Sequence, residues 1–282
     1  MVFFDYPDKL PDSYVGFWGP VTATIDWCEE NYILSPYIAE VVNSFTNFAF
    51  VALAIYHLYS TYKNQFGGLY VYISLGFASV GIGSFLFHMT LLYEYQLMDE
   101  LPMVYVTALP FGYIFSWNQP PVKRYLWRIG TFVVTALFTY IYIFVHRDPT
   151  IHQIFYAILN FGVIYKTIKT IHSVVTDPAS RKTLYKMLVL AVSLFIFGFF
   201  IWNMDFVLCS QLTDVRRNIL GLPLGVFTEG HGWWHIFTGL GVYYFIIYNQ
   251  ILSTWMSGRQ DSYKLVWHGI FAEVQLQKEK DE

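Results

Sequence analysis

His231 and His235 open an apolar run as His-Gly-Trp-Trp-His. Four residues apart, they share one face of a helix, and at that spacing two imidazoles can grip one metal ion. Zinc proteases with this spacing carry a glutamate between the two histidines. Here glycine and tryptophan fill those places, so a base must come from elsewhere. His88, at the end of Gly83-Ser84-Phe85-Leu86-Phe87-His88, offers a third nitrogen. Three protein ligands and a water make a catalytic zinc site, whereas four ligands close a structural one. Ser84 precedes His88 by four residues and shares its face, and Asp99 stands where the next apolar run begins. Each has a plainer explanation. Asp99 suits a helix N-cap, Ser84 suits close helix packing, and two histidines suit a membrane interface. Asp205, and His152 with Tyr156, are expected near the same side.

A second constellation lies further upstream, in Asp26-Trp27-Cys28-Glu29-Glu30-Asn31 and then Glu40. Residues 1–40 hold seven acids (Asp5, Asp8, Asp12, Asp26, Glu29, Glu30 and Glu40) and one base, Lys9. Carboxylates and carbonyls close together suit a hard cation such as calcium. The order is not that of an EF-hand, and a solvated acidic face is the alternative.

The elements that must position these residues are membrane helices. Of 282 residues, 55% are hydrophobic and 13% charged, against about 25% charged in soluble domains. The net charge of −3 gives no reason to propose a nucleic-acid partner. Seven runs approach the ~20 apolar residues that cross a bilayer, at 41–60, 70–89, 101–117, 125–145, 151–172, 184–208 and 233–256. The expected fold is all-α, a seven-transmembrane helix bundle. Its parts are an acidic lumenal segment (1–35), the helical domain (36–256) and a cytosolic tail (257–282). With the N-terminus in the lumen, 13 of the 17 basic residues face the cytosol, as the positive-inside rule prefers. Cys28 and Cys209 then both lie on the lumenal side, where a bridge between them would survive; two free thiols are the alternative.

The stretches WGPVTATIDWCEENY, SPYIAE, GSFLFHMT, QLMDELPMVY and HGWWHIFTG together resemble the alkaline ceramidase family, with the microbial enzymes, including those of yeast, close in pattern. The resemblance implies a membrane amidase that cleaves ceramide-type lipids into a sphingoid base and a fatty acid, in the endoplasmic reticulum or Golgi membrane. It implies zinc on His88, His231 and His235, flanked by Ser84 and Asp99. It also implies calcium on Asp26, Glu29, Asn31, Glu40 and the Trp27 carbonyl, a disulfide between Cys28 and Cys209, and a pocket tyrosine at Tyr156. Calcium is expected to stand apart from the chemistry. A seven-helix zinc-containing receptor of the adiponectin-receptor type is the rival. A transporter would show two similar halves with broken spans, and the sequence shows none.

Overall fold

The computed structural model describes residues 4–11 and 13–277. Asp12, Lys278 and Lys280 lie outside the described residues. The chain is mainly helical. Proline and aspartate punctuate it where the sequence predicts breaks. Pro121, Pro149 and Pro178 each open a helix, where a missing N–H costs nothing. The Asp148 carboxylate caps by accepting from Thr150 N at 2.9 Å, and that of Asp177 from Ser180 N at 2.7 Å. The helices are α1 (Val41–Thr46), α2 (Phe48–Lys63), α3 (Gly68–Thr90), α4 (Tyr93–Ser116), α5 (Pro121–Phe144), α6 (Pro149–Val174), α7 (Pro178–Val207), α8 (Cys209–Val215) and α9 (Gly230–Met256). A π-turn at Arg216–Leu220 and a 3-10 turn at Leu224–Thr228 lie between α8 and α9.

Among the described residues, six helical stretches are long and apolar enough to cross a membrane, α1 and α2 together forming the first. The protein is a multi-pass helical membrane protein. α4 is as long as the others but carries Glu94, Asp99, Glu100 and two prolines, and it is not among the six. It begins at Tyr93, well before the apolar run at 101. Asp99 is therefore inside a helix and is not its N-cap.

Contacts divide the chain into two units. The first comprises Met1–Ala52, Ser79–Glu100 and Ser193–Gly241. Here the N-terminal segment is tied to helix ends. Ala39 N and Glu40 N donate to the Met89 and His88 carbonyls at 2.9 Å. Cys28 and Cys209 form a disulfide. Arg216, fully buried, lies 2.8 Å from Glu229 and donates to the Cys28 carbonyl at 3.1 Å. A buried charge needs such partners, because its desolvation otherwise outweighs any gain.

The second unit comprises Leu53–Ala78, Leu101–Val192 and Val242–Glu282. Val104, Ala108 and Leu159 form a core beneath Phe111, Phe138 and Phe155. The tail is folded. β1 (Tyr263–His268) and β2 (Phe271–Leu276) pair antiparallel, turning at Gly269, whose φ of 65° suits glycine. The hairpin docks on α2 and α9. Tyr244 donates to the Ile270 carbonyl at 2.8 Å, and Leu276 N donates to Asn64 Oδ1 at 2.9 Å. The buried Glu273 carboxylate accepts from Lys63 at 3.1 Å and Ser60 at 3.2 Å. Glu273→Ala is therefore expected to loosen the hairpin, and limited proteolysis should cut the C-terminal segment faster than in the unaltered protein. Equal cleavage rates would show that the docking does not depend on this carboxylate.

Candidate metal centre

The site lies in the first unit, where the ends of α1, α3, α4 and α9 meet. His88 is in the last turn of α3, and His231 and His235 are in the first turns of α9. All three are buried, and one ring nitrogen from each lies within 4.8 Å of the others. In two of them the outward nitrogen sets the tautomer. His88 Nδ1 faces a carboxylate oxygen of Glu40, so it carries the proton and donates. Thr46 Oγ1 already donates to the Val42 carbonyl at 2.8 Å. It must therefore accept from His235 Nδ1, which is 2.9 Å away. The Nε2 lone pairs of His88 and His235 are left free to bind. His88 Nε2 lies 3.3 Å from His231 Nε2. Two nitrogens at zinc-ligand distance on one tetrahedral ion stand about 3.3 Å apart. Three imidazoles could hold one metal ion, and the His88–His231 pair has the spacing of two ligands on a tetrahedral ion.

Several contacts keep the trio in place. The Trp27 ring stacks on His231 with centroids 4.0 Å apart and planes 15° from parallel. Asp205, near the end of α7, accepts from Gly230 N at 2.9 Å and so holds the start of α9. A Cβ on Gly230 would come within 2.7 Å of the Asp205 Cβ. Glycine is what lets this carboxylate reach the helix backbone.

Asp99 reaches Ser84 through a local break in α4. Pro102 has no N–H to give the Met98 carbonyl. That freed carbonyl packs on Gly83, where any Cβ would overlap it. The close approach sets Ser84 beside Asp99, and the Ser84 hydroxyl hydrogen-bonds the Asp99 carboxylate. Both side chains are thereby fixed, Ser84 one turn before His88 on α3 and Asp99 against it from α4.

The acidic segment folds beside this centre. Asp26 accepts from Trp27 N at 3.0 Å and from Asn31 Nδ2 at 3.3 Å. Glu29 accepts from Val42 N at 2.7 Å and Asn43 N at 2.8 Å, capping α1. Burial and the neighbouring Glu40 charge raise the Glu29 carboxyl above its usual range. Burial, with Asp26 adding to it, raises Glu40 as well. Asn31 Oδ1 and Glu40 Oε1 are buried oxygens without a hydrogen-bond partner. Orphaned oxygens beside paired acids fit a hard cation.

A protein-family model for ceramidases matches residues 19–275. The chain belongs to the ceramidase family. Alkaline ceramidase YPC1 of Saccharomyces cerevisiae is 38% identical over 278 residues, covering 94% of this chain and 86% of that protein. Alkaline ceramidase 3 of Mus musculus is 35% identical over 240 residues, covering 85% and 87%. The alkaline ceramidase of Arabidopsis thaliana is 28% identical over 245 residues, covering 83% and 85%. As a family member the protein is an enzyme, and the trio is the group of candidate metal-binding side chains in this ceramidase among the described residues.

Tyr156 belongs to the second unit, where its hydroxyl bonds Asn160 and Thr107 and its ring is parallel to His152 at 6.2 Å. The direct contact of Glu40 with His88, the cap by Asp205, and Thr46 as the partner of His235 were not found by sequence reasoning. Thr46 and Asp205 carried a faint signal, as polar residues inside apolar helices.

Proposed function

We propose that the protein hydrolyses the amide bond of ceramide-type lipids, releasing a sphingoid base and a fatty acid, with zinc held by His88, His231 and His235. What supports this is the convergence of three buried imidazoles, the Nε2 atoms of His88 and His231 being 3.3 Å apart, in a family whose relatives are named for ceramide cleavage. When bound, zinc polarises the amide carbonyl and makes the attacking water acidic. Asp99 takes a proton from that water and gives it to the leaving nitrogen as the C–N bond breaks. The Ser84 hydroxyl holds Asp99 in place and, once Asp99 carries the proton, is free to donate to the developing oxyanion. The Glu40 contact sets the His88 tautomer. The centre then faces the lumen of the endoplasmic reticulum or Golgi, with the N-terminus on that side and seven spans in all.

Purified protein given ceramide, dihydroceramide and phytoceramide should release base and fatty acid from at least one of them. A chelator should stop this and added zinc restore it. Undiminished release after complete metal removal would reject the zinc chemistry.

We also propose calcium on Asp26, Glu29, Asn31, Glu40 and the Trp27 carbonyl. Glu40 gives one oxygen to His88, while its other oxygen is the orphan. The two metals therefore do not act separately. Glu40→Ala is expected to weaken zinc as well as calcium, by about 10–100-fold for zinc, as loss of a ligand's hydrogen-bond partner does. Zinc affinity measured by competition with a chelator checks this. Unchanged zinc affinity would leave Glu40 to calcium alone.

A further inference from the structure

Within the second unit, basic and aromatic side chains form a belt part-way along the helices. Arg128 Nε donates to Ser116 Oγ at 3.2 Å, and the Trp127 ring lies 4.8 Å from Phe115. Lys166 sits 6.0 Å over that same Phe115 ring, and its neighbour Thr167 lies beside the Tyr248 hydroxyl of α9. One level thus joins α4, α5, α6 and α9. From Arg128 to the far end of α5, and from Lys166 to the far start of α6, the helices run about 24 and 26 Å, close to the ~30 Å of a hydrocarbon core. Arg128 and Lys169 are exposed, as groups that meet lipid phosphates must be.

The hairpin turn is one helical turn from this belt. Tyr244 donates to the Ile270 carbonyl at 2.8 Å, and its ring lies 5.5 Å from Trp267. Hairpin turns in water favour Asn, Asp and Gly. Here the turn is Gly269-Ile270, with Trp267 just before it in β1, and Trp267 and Ile270 are 44% and 56% exposed. Beyond the belt the interior becomes polar, with buried Ser60, Thr61, Asn64, Gln250, Ser253 and Thr254. The Lys63–Glu273 ion pair lies there too. Such a core is costly in hydrocarbon and ordinary in water. From Tyr244, α9 continues for about 18 Å to its end, alongside a hairpin of similar length.

We propose that the Gly269-Ile270 turn, with Trp267 beside it, is seated in the phospholipid headgroup layer at the level of Arg128, Lys166 and Lys169. The rest of the hairpin and the adjoining ends of α2 and α9 stand in water beyond it. Tryptophan favours this layer because it pairs an apolar body with a polar N–H, and the cations pair with the phosphates. The hairpin is then a peg that sets how deeply this end of the bundle sits in the bilayer.

The test uses the full chain in phosphatidylcholine nanodiscs with the native disulfide intact. Ile270→Cys and Asp261→Cys are each labelled with a polarity-sensitive fluorophore. Lipids carry a nitroxide either on the headgroup or deep in the acyl chain. The label at 270 should be quenched several-fold more by the headgroup nitroxide than by the deep one, and the label at 261 by neither. A label at 270 as water-exposed as that at 261 would overturn the proposal. So would stronger quenching by the deep nitroxide, or a shielded label that neither nitroxide reaches, which would mean that protein covers the turn.

Discussion

His231→Ala is expected to abolish amide hydrolysis and leave the protein without bound zinc. The substitution removes one of three nitrogens, and His88 Nε2 loses the partner that stands 3.3 Å away. It also leaves the Trp27 ring, which stacks on His231, facing a cavity. Without the metal the pKa of water returns to that of bulk solvent, so the rate should fall by more than about 10⁴-fold. Metal content and lipid release are measured on the same preparation. His88→Ala and His235→Ala should behave alike, while His146→Ala, at an exposed residue, should change neither quantity. Full zinc and normal turnover in His231→Ala would end the assignment of the trio.

Asp99→Ala should separate proton transfer from metal binding. All three imidazoles remain, together with the Glu40 and Thr46 contacts that set their tautomers. Zinc should therefore stay bound at its original affinity. The rate should fall by about 10²–10⁴-fold if Asp99 shuttles the proton. Asp99→Asn should do nearly the same, since the amide keeps the Ser84 hydrogen bond but accepts no proton. Equal rates for Asp99→Asn and the unaltered protein would reduce Asp99 to a helix residue held by Ser84. A loss of zinc in either variant would show instead that Asp99 supports the metal site.

Much of this architecture is written locally. Apolar runs long enough to span a bilayer mark the helices, because no other backbone arrangement satisfies its polar groups in lipid. Asp148-Pro149 and Asp177-Pro178 begin helices because the carboxylate caps and the proline has no N–H to waste. The spacing of His231 and His235 places both on one face whatever surrounds them. Local patterns misled where polar residues had distant partners. α4 starts at Tyr93 across a polar stretch, in part because Gln96 is matched by Thr24, with bonds of 2.8 and 3.1 Å. The tail folds because Tyr243 and Tyr244 of α9 hold the backbone of β2 and its turn.

The sequence alone was enough to determine a helical membrane protein, the resemblance to ceramidases and the three histidines as a candidate zinc site. Hydropathy, helical period and ligand chemistry each act through near neighbours. Only the tertiary structure decided that Glu40 meets His88, that Thr46 sets the tautomer of His235, and that Asp205 holds the start of α9. These pairs are 48, 189 and 25 residues apart. Nothing in a local pattern pairs such residues. Each polar group must find a partner once it is buried, and folding alone decides which one is in reach.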